Sequence, residues 1–136
     1  MNFTFYKNEA EEIIKLIKDS FDINNESKEL NLQNNQRILL LKNNNIIIGL
    51  SLITLKFDPI KNKKTFYLDY FCIAKEYRNK HYGSILFKEI EKIAKDEKID
   101  YIELTSNKMR VNARILYEKN GMEIIDTDIF RKKVIN

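Results

Sequence analysis

The hydrophobic period of this chain changes near Tyr82 from that of strands to that of a helix, and that change limits the fold more than any other feature. Upstream, Arg37–Leu41, Ile46–Phe57 and Thr65–Ile73 are runs of branched and aromatic residues. They are separated by the polar stretch Lys42-Asn43-Asn44-Asn45 and by Asp58-Pro59 with Lys61–Lys64. Runs of that composition bounded by turn residues read as strands, and the first two as a hairpin. From Tyr82 onward, Tyr82, Leu86, Ile90, Ile93 and Ala94 share one helical face, with Lys88, Glu89, Glu91, Lys92 and Lys95 turned outward. Strands followed by an amphipathic helix make an α/β chain.

The remaining segments fill in around this frame. Phe3–Tyr6 reads as a first strand, and Ala10, Ile13, Ile14, Ile17 and Phe21 as a first helix. Asn8 is its expected N-cap, with Glu11 three residues on. The polar segment Asn24–Gln36, with Leu30 and Leu32, is expected to hold a short helix. Ile99–Thr105 reads as a strand, Val111–Asn120 as a helix ended by Gly121, and Met122–Ile125 and Ile129–Val134 as two last strands.

At 136 residues, 1–136 is expected to be a single domain. No apolar run approaches the roughly 20 residues that cross a bilayer, and the first residues lack a signal-peptide pattern, so a cytoplasmic location is expected. One cysteine (Cys72) and one histidine (His81) allow no internal disulfide and no metal cluster, so no metal is expected. The net charge of +4 suits an anionic coenzyme. Basic residues alternate with acids along the helices and the aromatics follow element periods, which argues against nucleic acid as a partner.

Arg78-Asn79-Lys80-His81-Tyr82-Gly83-Ser84 lies between a strong strand and a strong helix. A turn opening a helix there aims free N–H groups and the positive end of the helix dipole outward, which suits a phosphate. The plainer reading is a strand-to-helix turn with solvated basic residues. A second block, Arg110 to Met122, holds Ala113 and, four residues later, Tyr117, then Glu118, Lys119 and Gly121. A third, Leu68-Asp69-Tyr70-Phe71-Cys72-Ile73, breaks strict alternation between Leu68 and Phe71, as a β-bulge would.

These three blocks, in this order, resemble the GNAT superfamily of N-acetyltransferases. Arg78 and Gly83 match the outer positions of its pyrophosphate signature, while Asn79 and His81 stand where it commonly has glycine. The resemblance implies a mixed, mostly antiparallel sheet of six or seven strands flanked by about four helices. It implies splaying between the Thr65–Ile73 and Ile99–Thr105 strands, and transfer of the acetyl group of acetyl-CoA to an amine by direct attack in a ternary complex.

Residue roles follow from the same resemblance. Tyr117 matches the general acid near the coenzyme sulfur, against a plain reading as a core aromatic. Asp69 sits where many members place the acid that takes the amine proton, against a reading as an aspartate reaching solvent or a lysine. Residues Arg78, Asn79, Lys80, His81, Tyr82, Gly83 and Ser84 would bind the phosphates. Cys72 and Ile73 would offer backbone groups to the pantetheine arm, and Asn112 and Lys119 would lie near the coenzyme. As a side chain, Cys72 reads as a small buried hydrophobe. The acceptor amine (a small molecule, a peptide N-terminus or a lysine) carries no motif, and dimers are common in the superfamily. The rival reading is a domain of this fold that binds acetyl-CoA without catalysis, as a sensor or interaction module.

Overall fold

The computed structural model describes residues 1–23 and 29–135. Strand β1 (Asn2–Phe5) leads to helix α1 (Ala10–Ser20), then to β2 (Gln36–Asn43), β3 (Ile46–Asp58) and β4 (Lys63–Ile73). A short 3-10 turn at Lys75–Tyr77 precedes helix α2 (Tyr82–Asp96), strand β5 (Tyr101–Leu104) and helix α3 (Val111–Lys119). The sheet order is β1-β2-β3-β4-β5. The first four strands are antiparallel neighbours and β5 lies parallel to β4. The fold is therefore the mixed, mostly antiparallel α/β sheet expected.

Its element counts are lower than expected. Among the described residues there are five strands and three helices rather than six or seven and four. Met122–Ile125 and Ile129–Val134 are not strands: Met122 packs against the core, and the chain after it is irregular and exposed. A strand exists only where a neighbouring backbone takes up its N–H and C=O groups, and nothing in the described chain does so here. The helix expected within Asn24–Gln36 is also missing from residues 29–36, while 24–28 lie outside the described residues. Leu30 and Leu32, two apart, instead pack against the core on the α1 side.

Strand β2 shows why its apolar run is continuous. Ile38 and Leu40 join α1 residues Ile13, Leu16 and Ile17 on one face of the sheet. Leu39 and Leu41 join Leu86, Phe87, Ile90 and Ala94 of α2 on the other. A strand covered on both faces has no polar side to present. The β2–β3 turn runs through Asn44 and Asn45, both at positive φ (50° and 66°), a conformation asparagine tolerates better than most residues. Helix α1 starts without the cap expected of Asn8. Glu9 precedes it, and its carboxylate accepts hydrogen bonds from the amides of Lys7 and Asn8 and pairs with Lys42 of β2 at 2.9 Å.

The expected bulge is present in β4. Leu50 pairs with Cys72 but Leu52 pairs with Asp69, so Ser51 alone opposes Tyr70 and Phe71. Tyr70 takes φ +55°, which shifts the pleat by one residue. Phe66, Leu68 and Phe71 consequently all enter the core shared with α2. The Ser51 hydroxyl, fully buried in the bulge, lies within reach of the carbonyls of Leu52 (3.2 Å) and Asp69 (3.4 Å).

Candidate active site

The pairing of β4 with β5 ends at Leu68 opposite Leu104. Beyond it β4 turns through its bulge, while the other chain leaves as Thr105–Arg110 and enters α3. The two diverge, and an open cleft of about 230 Å³ forms between them. That is below the roughly 300–1,000 Å³ of a pocket that swallows a drug-sized ligand. It suits the reacting ends of two substrates, not a whole coenzyme.

Asp69, Tyr70 and Phe71 of the bulge line one wall, and Arg110 and Tyr117 line the other. Tyr117 is buried, and its ring stands edge-on to Phe71 with centroids 6.0 Å apart. The core reading of Tyr117 holds, since the ring packs in the core, and the residue also lines the cleft. Burial pushes the Tyr117 hydroxyl above its ordinary range; the nearby Arg110 charge opposes this, and Cys72 adds slightly to it. Asp69 is half-buried, and burial raises its carboxyl, with the charge of Lys56 pulling the other way. No ion pair holds Asp69 among the described residues; the Lys56 ammonium sits over the Tyr67 ring at 4.1 Å.

Arg110 was not singled out by the sequence. Its guanidinium stacks over Phe21, 5.0 Å from the ring centroid, and Phe21 meets Tyr70 edge-on at 5.5 Å. The end of α1 and the start of α3 thereby meet at the cleft, which Phe21 and Arg110 both line. No local pattern could have found this, since Phe21 and Arg110 belong to separate elements with no shared spacing.

At the far end of the site lies the loop before α2. Asn79 and His81 both adopt left-handed backbone (φ 61° and 68°). The turn therefore keeps a glycine-like path with no glycine at either position. His81 stands at the N-cap of α2 and makes no side-chain cap bond. The first amides of the helix, at Tyr82, Gly83 and Ser84, have no partner within it and are left for a ligand. Arg78, Asn79, Lys80 and His81 are all exposed there. The loop amides, with the exposed Lys80 beside them, fit the phosphates of a nucleotide coenzyme.

Several sequence-selected residues do other work. The Arg78 guanidinium turns back, its Nε donating to the Ile73 carbonyl at 2.9 Å and a terminal nitrogen to Ser20 Oγ at 3.3 Å. Ile73 therefore offers that carbonyl to Arg78. A Cβ on Gly83 would come 2.9 Å from Leu116 Cδ2, so this glycine permits α2 and α3 to approach. Ser84 Oγ accepts a bond from Asn120 Nδ2 at 3.1 Å, fastening the same two helices, and Tyr82 packs edge-on against Tyr77. Cys72 faces the α1 side, 5% exposed, with burial raising its thiol to about 11 despite Ser20 and the charges of Arg78 and Arg110. A thiol of that kind is no nucleophile at neutral pH. Asn112 and Lys119 are exposed at the two ends of α3. Among the described residues no group of three His, Cys, Asp or Glu could hold a metal, and no helix is long and apolar enough to cross a membrane.

Comparison with known proteins adds an independent line. A search of curated proteins finds no match. Solved structures match closely in shape at low identity, which speaks to fold alone. An aminoglycoside acetyltransferase from an uncultured soil metagenomic sample has a TM-score of 0.84 at 13% identity, over 99% of this chain and 96% of that one. A ribosomal-protein-alanine N-acetyltransferase from Brucella melitensis biovar Abortus 2308 has 0.83 at 13%, over 98% and 100%. A transcriptional regulator from Bacillus halodurans C-125 has 0.81 at 16%, over 98% and 100%. The family model for the acetyltransferase (GNAT) family matches residues 6–122, which spans both walls of the cleft and the α2 loop. This chain belongs to the GNAT acetyltransferase family.

Proposed function

We propose that this protein transfers the acetyl group of acetyl-CoA to an amine, both substrates being held together on the enzyme. The observation that carries the reading is that Asp69 and Tyr117 line the same cleft, while the start of α2 packs against the C-terminal end of α3 through Gly83–Leu116 and Ser84–Asn120. Acetyl-CoA, when bound, supplies a thioester whose carbonyl carbon an amine can attack directly. The α2 loop amides, with Lys80 beside them, would hold its phosphates. Asp69, ionised, takes the proton that the amine nitrogen must lose as the new C–N bond forms, directly or through a water. Tyr117, kept protonated by burial, gives its proton to the departing sulfur. The acceptor remains an amine of a small molecule, a peptide N-terminus or a lysine; the names of the two acetyltransferases above carry acceptors of different kinds.

Two measurements test this. Thermal unfolding with acetyl-CoA, with ADP and NAD as controls, should rise by several degrees, since a ligand at about 100 times its dissociation constant adds roughly 2.7 kcal/mol. Release of free CoA should then follow on addition of amines from a panel spanning the three acceptor classes. A shift specific to acetyl-CoA with no CoA release across the panel would favour the non-catalytic binder. The absence of any shift at millimolar acetyl-CoA would sink both readings.

A further inference from the structure

Arg110 lines the wall of the cleft opposite Asp69, and among the described residues its guanidinium makes no ion pair and donates no hydrogen bond. Arg37 and Arg78, by contrast, are occupied. Arg37 holds both carboxylate oxygens of Glu97 at 2.8 Å, and Arg78 holds the Ile73 carbonyl and Ser20. What fixes Arg110 is a ring, since its guanidinium lies over Phe21 at 5.0 Å from the centroid. A guanidinium stacked by its face keeps its edge donors for a planar anion, which it takes two bonds at a time. Helix stability does not explain the residue. Arg110 is the N-cap of α3 and makes no side-chain cap bond, and the first turn holds no acid to offset it. A cation at the positive end of a helix dipole is disfavoured. Nor do the coenzyme phosphates explain it. The α2 loop meets α3 at Leu116 and Asn120, roughly 9–15 Å along the helix from Arg110.

We infer that Arg110 selects the acceptor: the attacking amine belongs to a small molecule that also carries a carboxylate, which this guanidinium binds while the amine faces Asp69. The inference rests on the acetyl transfer proposed above and narrows its acceptor. The cleft encloses about 230 Å³, so an amine and a carboxylate held between its two walls are only a few bonds apart, as in a free amino acid. In a peptide N-terminus that carboxylate is tied up as an amide. In a protein lysine the amine stands at the end of a four-carbon stem with no carboxylate near it.

Isothermal titration calorimetry with matched probes, run with and without CoA, tests it. The probes are alanine, methionine and phenylalanine, each as the free acid and as the primary amide, beside the C-terminally amidated peptide alanyl-aspartyl-alanine. Each acid should bind at least about ten-fold tighter than its amide, the scale of hydrogen bonds to a charged group. Arg110→Gln should erase that ratio by weakening the acids while the amides change by less than about two-fold, with the melting temperature of the free protein within a few degrees. Arg110→Lys keeps the charge without the planar fork and should recover part of the ratio. Acids and amides that bind alike, a ratio that survives Arg110→Gln, or no binding of any acid at millimolar concentration would each overturn the inference. A peptide that binds as tightly as the acids would overturn the assignment to a small molecule. These readouts involve no turnover, so their failure leaves the acetyl transfer to stand or fall on CoA release.

Discussion

Asp69 and Tyr117 move in the same direction for the same reason, since burial disfavours both the carboxylate and the phenolate. The consequences for the proposed reaction differ in sign. Asp69 acts when ionised, so the rate should climb with pH through a value above the ordinary aspartate range. Tyr117 acts when protonated, so the rate should fall only at a pH above the ordinary tyrosine range. A pH profile of kcat/KM for wild type and Asp69→Asn checks the first limb, which the substitution should abolish while lowering the rate at neutral pH. Tyr117→Phe should reduce kcat by about 100-fold with little change in KM for acetyl-CoA, the usual scale for losing a positioned acid. An equal kcat in steady-state assays would remove Tyr117 from its role. The buried ring contact with Phe71 survives that substitution, so lost activity would not reflect lost packing.

The helix-opening loop shows how an element tolerates residues that its family would place differently. Asn79 and His81 hold left-handed backbone that glycine adopts at no steric cost, and both residues are among those that visit it. His81→Gly should therefore leave the melting temperature within a few degrees. It should also lower KM for acetyl-CoA, because a side chain leaves the approach to the α2 amides. Gly121, at φ +85° after α3, is the one glycine at positive φ among the described residues. Gly83 answers to a different constraint, because the nearest obstacle to a Cβ there is the Leu116 side chain. Gly83→Ala is expected to cost about 1–3 kcal/mol from overpacking. Gly83→Ala with Leu116→Ala should cost less than the sum of the two, since the smaller neighbour gives up the contested space. Urea denaturation of the four forms in that cycle measures the coupling.

Across the whole molecule, the contact that ties the start of α1 to β2 is the pairing of Glu9 with Lys42. Burial by itself would raise the Glu9 carboxyl. Bonds from Lys42 and from the Asn8 and Lys7 amides outweigh it, and the pKa falls from 4.5 to about 2. A carboxyl depressed in the folded state stabilises above its unfolded pKa, and that contribution is lost as pH falls from about 4.5 toward 2. Allowing for solvent screening, it is worth about 1 kcal/mol. Glu9→Gln should thus lower the urea midpoint at pH 7 and shrink the difference in stability between pH 6 and pH 3. An unchanged difference would show that the acid sensitivity lies elsewhere.

What the sequence by itself determined is whatever depends on near neighbours along the chain. The apolar run at Ile38–Leu41, the branched residues of β3 and the helical spacing from Tyr82 named their elements, because burial on a given face repeats at the period of the local backbone. Even the β4 bulge was legible, since Leu68 and Phe71 can share a face only if the pleat slips between them. The Arg78–Ser84 stretch marked the loop that opens α2, and the Ala113–Tyr117 spacing marked α3, whose Tyr117 lines the cleft. Tertiary structure alone decided the rest. Whether Met122–Ile125 and Ile129–Val134 become strands depends on a partner backbone, and a pattern of side chains carries no record of whether that partner is available. Asn8 lost its cap because the helix begins one residue later, beside a lysine from another strand. Arg78 bonds Ile73 and Ser20, Gly83 makes room for Leu116, and Phe21 and Arg110 meet across the cleft from opposite ends of the chain. Each of these is set by distances between elements, which no local period encodes.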